Sequence, residues 1–306
     1  MERQQKTIEY PVSCTGVGLH TGVESTITFR PAEENSGIKF LRIDKDDQII
    51  TPYIDNVVDL TRGTTIEENG IRVHTTEHVM SACAGMGVDN LIIELNSKEP
   101  PVMDGSAKDF VAALNEGKIV EQDSKVNFLK ITKPVVYTDE EKDVEVLAVP
   151  YDGFKTTFTI QYDLEQLDVQ YSSVQNMYTN YEKQIAPART FCLLSEIAGL
   201  EKQGLIKGGN LGNAVIIVDT EIDAQEVNFF KKRFGIKFYE GNRGLYKSQI
   251  LRFKNEPVRH KTLDLLGDLA LLGKPILGHV TAIKSGHKGN VEFAKLLREE
   301  FKDQFK

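Results

Sequence analysis

The sequence predicts an α+β protein made of two similar sheet-plus-helix domains, residues 1–122 and 128–306. Three observations predict it. Runs of period-two alternation mark half-buried strands, helical segments follow those strands, and the order of elements repeats weakly between the two halves. A chain of 306 residues is too long for one small core and suits two domains of ordinary size.

The first half opens on Tyr10-Pro11-Val12, a turn and the alternating strand Ser25-Thr26-Ile27-Thr28-Phe29. Gly16-Val17-Gly18 is flanked by strand-like stretches and no Gly-Lys-Ser/Thr follows, so it reads as a hairpin and not a nucleotide loop. The Gly-led strand Gly37-Ile38-Lys39-Phe40-Leu41 comes next. Thr75 to Ala84 reads as a helix and Leu91 to Leu95 as a strand. Ser106 suits the N-cap of a helix from Lys108 to Leu114. The polar stretch Glu116 to Lys125 is expected to link the halves.

The second half repeats the order: Lys133-Pro134-Val135, a turn, Val144 to Val149, then the Gly153-led strand to Phe158. A helix from Val258 to Leu272 ends at Gly273-Lys274-Pro275. A strand through Val280-Thr281-Ala282-Ile283 and a helix from Asn290 to Phe301 complete it. Asp163 to Phe253 has no counterpart of similar length in the first half. Within it, Ile197 to Ile217 reads as helix, Gly208-Gly209 turn and apolar strand.

Composition narrows the class. Hydrophobic content of 40% and charged content of 27% are those of a soluble globular protein. The polar N-terminus precedes no apolar run, and no stretch approaches the roughly 18 apolar residues that span a bilayer. Cys14, Cys83 and Cys192 have neither zinc nor disulfide spacing, so reduced thiols in the cytoplasm are expected. A net charge of −8 argues against nucleic-acid binding. Against that balance, residues 228–261 hold ten Lys or Arg and two acids. That island suits a diphosphate, an anionic membrane surface or simply a solvated hairpin. Phe229-Phe230-Lys231-Lys232-Arg233-Phe234 within it suits a membrane surface or an extended hairpin.

Two distant segments carry the chemistry. His260 and Asp264 are four apart, so a helix stacks them on one face. With His78 they give two imidazoles and a carboxylate, three corners of a Zn2+ tetrahedron with the fourth left for water. Glu77 stands beside a ligand, where a carboxylate can accept a proton. The same donors also suit Fe2+ in an oxygenase, although that class usually places its close histidine–acid pair first. Asp268, one turn on from Asp264, would close the site as a fourth ligand. It is better cast as the partner that holds His287. His287 is expected in a glycine-flanked loop, where plain exposure is its other reading. Lys261 points off the metal face, which suits a phosphate contact. No Gly-x-Ser-x-Gly elbow is present, which argues against a serine hydrolase. Cys192 lacks a neighbouring base and reads as buried.

These segments resemble the zinc-dependent UDP-3-O-acyl-N-acetylglucosamine deacetylases of lipid A synthesis in Gram-negative bacteria. The resemblance rests on Gly16 to Gly22, Thr76-Glu77-His78, Ala188-Arg189-Thr190-Phe191, Val258 through Asp268, and Ser285-Gly286-His287, in that order along nearly the whole chain. It implies two domains joined face to face through their helices, with the metal between them. It gives Thr190 the acetamide carbonyl oxygen, Phe191 the hexosamine ring and Tyr162 the uracil. A βαβ insert would form a hydrophobic acyl passage past Ile197, Ile206, Ala214 and Ile216, which otherwise read as ordinary core. His20 and Asp104 have precedent near the site and no independent argument. A monomer is expected; the resemblance implies a UDP-3-O-acyl-N-acetylglucosamine substrate, and some relatives are fused to a second lipid-pathway enzyme. Between Asp219 and Pro257 the chain is longer than the family pattern. An iron-dependent oxygenase and a non-catalytic binder of nucleotide sugars are the rival functions.

Overall fold

The computed structural model describes residues 2–162, 164, 167–220, 224–235, 244–245 and 249–306. The first half runs β1 (Gln4–Ile8), β2 (Val12–Val17), β3 (Glu24–Pro31), β4 (Ile38–Arg42), β5 (Gln48–Ile50), β6 (Val57–Asp59), β7 (Thr65–Glu68), β8 (Ile71–Val73), α1 (Glu77–Met86), β9 (Leu91–Leu95) and α2 (Lys108–Glu116). Then come β10 (Ile119–Lys125), β11 (Leu129–Lys130), β12 (Val135–Asp139), β13 (Val144–Val149), β14 (Phe154–Ile160), β15 (Gln170–Val174) and α3 (Met177–Gln184). The remainder is β16 (Phe191–Leu193), α4 (Leu194–Lys202), β17 (Val215–Val218), α5 (Ala224–Phe234), β18 (Gly244–Leu245), α6 (Glu256–Ala270), β19 (Ile276–Ile283) and α7 (His287–Glu300).

The alternation read from the sequence is the alternation of the sheets. In β3, Ser25, Ile27 and Phe29 are fully buried while Thr26 and Thr28 face outward and pair with Thr15 and Ser13 hydroxyls on β2. The two principal sheets have the same design. Their strand orders are β2-β3-β9-β4-β5 and β12-β13-β19-β14-β15, with β11 added beside β19. In each, the central strand is antiparallel to one neighbour and parallel to the other. The weak repeat in sequence is therefore a repeat of topology. The small sheet β6-β7-β8 was not foreseen, because its strands are short and mixed in polarity.

Boundaries shift where local backbone chemistry overrides periodicity. Helix α1 starts at Glu77 and not at Thr75, because Thr75 has the left-handed φ of 53°. Helix α6 starts at Glu256, with Pro257 in the first turn where its missing N–H costs nothing. Helix α7 starts at His287, so the expected glycine loop is a helix start after extended Gly286. Ala107, not Ser106, is the N-cap of α2, although Ser106 Oγ still accepts from Lys108 N at 3.3 Å. The expected linker is mostly strand: β10 pairs with β1.

Helix α1 packs along α6, α2 packs on α1 and β2, and α7 packs on α6, β12 and β13. Gly267 sets the closeness of α1 and α6, since it presses against the α1 backbone at Glu77. The long second-half insert is a unit in which β16 and β17 pair in parallel, connected through α4, with β18 antiparallel to β17. It has its own small core of Leu194, Ile197, Ile216, Val218 and Phe230. Lys237, Arg243, Lys247 and Glu240 of the basic island lie outside the described residues. Among the described residues, no helix is long and apolar enough to cross a membrane.

Candidate metal centre

Helix α1 brings Glu77 and His78, and helix α6 brings His260, Asp264 and Asp268, to one buried locus. One ligand atom each from His78, His260 and Asp264 lies within 4.8 Å of the others. Asp264 Oδ1 is 3.3 Å from His260 Nε2 and 4.0 Å from His78 Nε2. Donors at 2.0–2.1 Å in a tetrahedron stand roughly 3.3 Å apart, so this spacing fits a metal of zinc size with little movement. The donor chemistry fits as well. His260 Nδ1–H donates to the Ala188 carbonyl at 3.0 Å, which leaves the Nε2 lone pair facing Asp264. Burial and the neighbouring His260 push His78 down to about 3, so it is a neutral imidazole. Burial likewise lowers His260. Burial alone would raise Asp264, but Lys261 and the surrounding imidazoles hold its carboxyl far below the usual range.

Lys261 corrects an expectation. It does not point away from the ligands: its ammonium donates to Asp264 Oδ2 at 2.9 Å. The lysine stem reaches three residues on along the helix, leaving Oδ1 for the histidine side. Its Nζ is also 6.0 Å from the centre of the Phe191 ring, which in turn lies 6.0 Å from Tyr162.

Beside the ligands stand a carboxylate and an imidazole. Glu77 is buried and pushed up to about 7, chiefly by burial, with the Asp264 and Asp268 charges adding to it. His287 Nδ1 donates to Asp268 Oδ2 at 2.9 Å, and its Nε2 lies 4.0 Å from Asp264 Oδ2. Burial works to lower His287, but Asp268, Asp264 and Glu77 outweigh it and hold it at about 9. Asn290 Nδ2 donates to the same Asp268 oxygen at 2.8 Å. His287 is thus brought to Asp268 and not left in an exposed loop.

The segment Ala188 to Phe191 joins this locus to the insert. Arg189 clamps it to the start of α6 through buried Glu256, with Nε to Oε1 at 2.8 Å and Nη2 to Oε2 at 3.1 Å. Thr190 is held by its backbone to Gly105 and Val215. Thr190 and Phe191 then line a cavity with Ile197, Ile206, Ala214 and Ile216, so all four expected passage residues share one space. Cys192 lines it too, only partly buried, with its thiol pushed up to about 12 by burial. From the first half, Leu19, His20 and Arg62 close the cavity. Glu99 fixes that hairpin by accepting from the His20 and Thr21 amides and the Thr21 and Thr75 hydroxyls. Asp104 is engaged by Arg252 and Lys108, each at 2.6 Å, and bonds no metal ligand among the described contacts.

Sequence reasoning missed three supports: the Ala188 carbonyl, Thr64 and Gly267. A carbonyl and a lone threonine leave no sequence signal. Gly267 does leave one, because a glycine inside a helix costs about 1 kcal/mol relative to alanine and needs a reason.

The sequence matches the family model described as LpxC, UDP-3-O-acyl N-acetylglycosamine deacetylase, over residues 5–233 and 239–299. It is 44% identical over 299 residues to a bifunctional enzyme LpxC/FabZ of Chlorobaculum tepidum, covering 96% of this chain and 64% of that protein. A bifunctional enzyme LpxC/FabZ of Bacteroides thetaiotaomicron is 36% identical, with 98% of this chain and 65% of that protein covered. The chain thus spans somewhat less than two thirds of these relatives. It covers 98% of a UDP-3-O-acyl-N-acetylglucosamine deacetylase of Chlamydia pneumoniae at 36% identity, again with 98% of this chain aligned. With the match running through every element that builds the candidate metal centre, the chain belongs to the LpxC, UDP-3-O-acyl N-acetylglycosamine deacetylase, family.

Proposed function

We propose that this chain hydrolyses the N-acetyl group of UDP-3-O-(3-hydroxyacyl)-N-acetylglucosamine to the free amine and acetate, in lipid A synthesis in the cytoplasm. The observation that carries it is the convergence of a buried His78–His260–Asp264 donor set with Glu77 and the Asp268–His287 pair at one locus. Bound there, a Zn2+ ion would act as a Lewis acid that polarises the acetamide carbonyl and acidifies a water. Fe2+ is accepted by the same donors.

The chain's own residues divide the remaining work. The Glu77 carboxylate accepts a proton from the water whose oxygen attacks the acetamide carbon. The carbonyl oxygen gains negative charge, and the Thr190 hydroxyl donates to it. As the C–N bond breaks, the nitrogen takes a proton from His287, whose other ring nitrogen is held by Asp268. Water has then been split between acetate and amine, and both side chains are reset by exchange with solvent. Phe191 packs on the hexosamine and Tyr162 on the uracil. Lys261 has three ammonium protons, of which Asp264 takes one, so it can still meet a substrate phosphate.

The cavity through Ile197, Ile206, Ala214 and Ile216 suits the acyl chain. Phe229, Lys231 and Lys232 on α5 are exposed, which suits transient contact with an anionic membrane where such a lipid substrate resides. The test is metal content together with acetate release from UDP-3-O-acyl-N-acetylglucosamine by the purified chain. Full activity in a verified metal-free preparation, or no acetate from a metal-loaded one, sinks the reading.

A further inference from the structure

Thr64 lies outside every motif that carries the resemblance, yet all its polar atoms are committed at the centre of the site. It is completely buried in the loop before β7. Its backbone N–H donates to Glu77 Oε2 at 2.9 Å. Its hydroxyl donates to Asp268 Oδ1 at 2.6 Å. Its carbonyl accepts from the Thr76 amide and the Thr76 hydroxyl, both at 3.1 Å, at the start of α1. The hydroxyl's direction follows from the partners. An ionised carboxylate can only accept, and His287 Nδ1, 3.3 Å from the same Oγ, has its proton on Asp268 Oδ2 at 2.9 Å. Gly63, the preceding residue, keeps the space open: a Cβ there would stand 3.1 Å from Glu77 Oε1.

We propose that Thr64 is a positioning residue that sets the proton-accepting and proton-donating groups in register across the two helices. Its amide fixes the rotamer of Glu77 on α1. Its hydroxyl fixes Asp268 on α6, and Asp268 in turn holds His287 with the proton on Nδ1 and Nε2 turned towards the ligand cluster. No other residue among the described contacts bonds both Glu77 and Asp268. Thr64 therefore acts through the reacting groups and need not touch substrate. The inference rests on the deacetylase reading for its kinetic arm and on geometry alone for its spectroscopic arm.

Thr64→Val keeps the shape and the backbone N–H and removes only the hydroxyl. Loss of an outer hydrogen-bonding partner of this kind costs about 10–100-fold in activity. The metal-loaded full chain carrying Thr64→Val should lose kcat on that scale with KM and metal content unchanged, and Thr64→Ser should restore most of it. In parallel, the 15N and 1H resonances of the His287 ring should report Nδ1–H bonded to carboxylate in the parent and Thr64→Ser, and a displaced signal in Thr64→Val. If Thr64→Val does not fold, Thr64→Cys with its weaker donor takes its place, with kcat falling in the order Thr, Ser, Cys. Wild-type kcat in Thr64→Val, or equal losses in Val and Ser, overturns the proposal. An unmoved His287 signal overturns it too. If the unsubstituted chain releases no acetate, the deacetylase reading fails instead, and the ring resonances alone decide the role of Thr64.

Discussion

Gly267 on α6 lies directly against the backbone of Glu77 on α1: a Cβ at Gly267 would stand 2.7 Å from the Glu77 carbonyl carbon and 2.8 Å from its Cα. No real Cβ tolerates that distance, so an alanine there must push the helices apart. Asp268 follows Gly267 on α6 with Asp264 one turn earlier, and His78 follows Glu77 on α1. Gly267→Ala is expected to destabilise the fold by about 1–3 kcal/mol, the usual cost of overpacking, and to lower zinc occupancy. Gly199 is the control, since a Cβ there meets nothing. Gly199→Ala in the interior of α4 should stabilise by roughly 0.5–1 kcal/mol. Thermal unfolding of the two variants should move in opposite directions, and a shared direction would show that the close approach does not govern the effect.

The proposed ligands and the proposed proton acceptor should separate cleanly by substitution. His260→Ala removes a donor and is expected to lose metal and acetate release together. Glu77→Ala should lose most turnover yet keep its zinc, because Glu77 stands beside the donor cluster and is not counted in it. Elemental analysis of both proteins after gel filtration decides the matter. Zinc loss from Glu77→Ala would make Glu77 a ligand.

Thr190→Ala should lower kcat by about 10–1000-fold, the range for one donor to a developing oxyanion. The backbone bonds of Thr190 to Gly105 and Val215 do not involve the side chain, so the fold should persist. A change confined to KM would mean that Thr190 only positions the sugar.

Much of this site was legible in sequence, for a definite reason. His260 and Asp264 are candidate metal-binding side chains at helical spacing, and Glu77 and His78 are neighbours, so local geometry alone places each pair. The meeting of the two pairs was carried by the resemblance, because it depends on how α1 crosses α6. Lys261 shows where local reasoning stops. Its position on the helix wheel pointed it off the metal face, but a flexible stem and a buried carboxylate three residues on drew the ammonium back to Asp264. His287 shows the same limit for a loop assignment, since an extended Gly286 lets the helix begin at the histidine itself. The topological repeat was visible as strand order, but β10 was hidden because a polar edge strand pairing with β1 resembles a linker in composition.

The cavity proposed for the acyl chain yields a prediction about a residue the family model passes over. Phe234 closes one wall of the cavity, and residues 234–238 fall in the gap of the family match. Arg233 pins this end of α5 to α4 through Glu201 and to the loop at Lys207 through its carbonyl at 3.1 Å. Phe234→Ala should shift preference towards longer 3-O-acyl chains, since one methylene in an apolar pocket changes discrimination by about 10–200-fold. Acetate release across a series of acyl lengths measures it. An unchanged length profile in an active variant would remove α5 from the passage.

The pH dependence of turnover follows from two groups shifted in the same direction but needed in opposite states. Glu77 must be deprotonated to accept a proton, so kcat should rise as pH climbs through its value. Burial and the Asp264 and Asp268 charges move that value up from 4.5 to about 7 in the metal-free protein. His287 must be protonated to donate, so kcat should fall as pH climbs through its value, held at about 9 because Asp268 and the other carboxylates outweigh burial. A divalent cation held by His78, His260 and Asp264 would disfavour protons on both, so in the metal-loaded protein each limb should lie below those figures. The profile is therefore expected to be bell-shaped, and its limbs belong to the coupled set of groups. Asp268→Asn removes the charge that does most to raise His287 and should draw the basic limb downward while zinc stays bound. His287→Ala should retain zinc and lose or displace the basic limb. If His287→Ala keeps the parental basic limb, another group protonates the leaving amine, and Glu77 serving first as base and then as acid becomes the better mechanism.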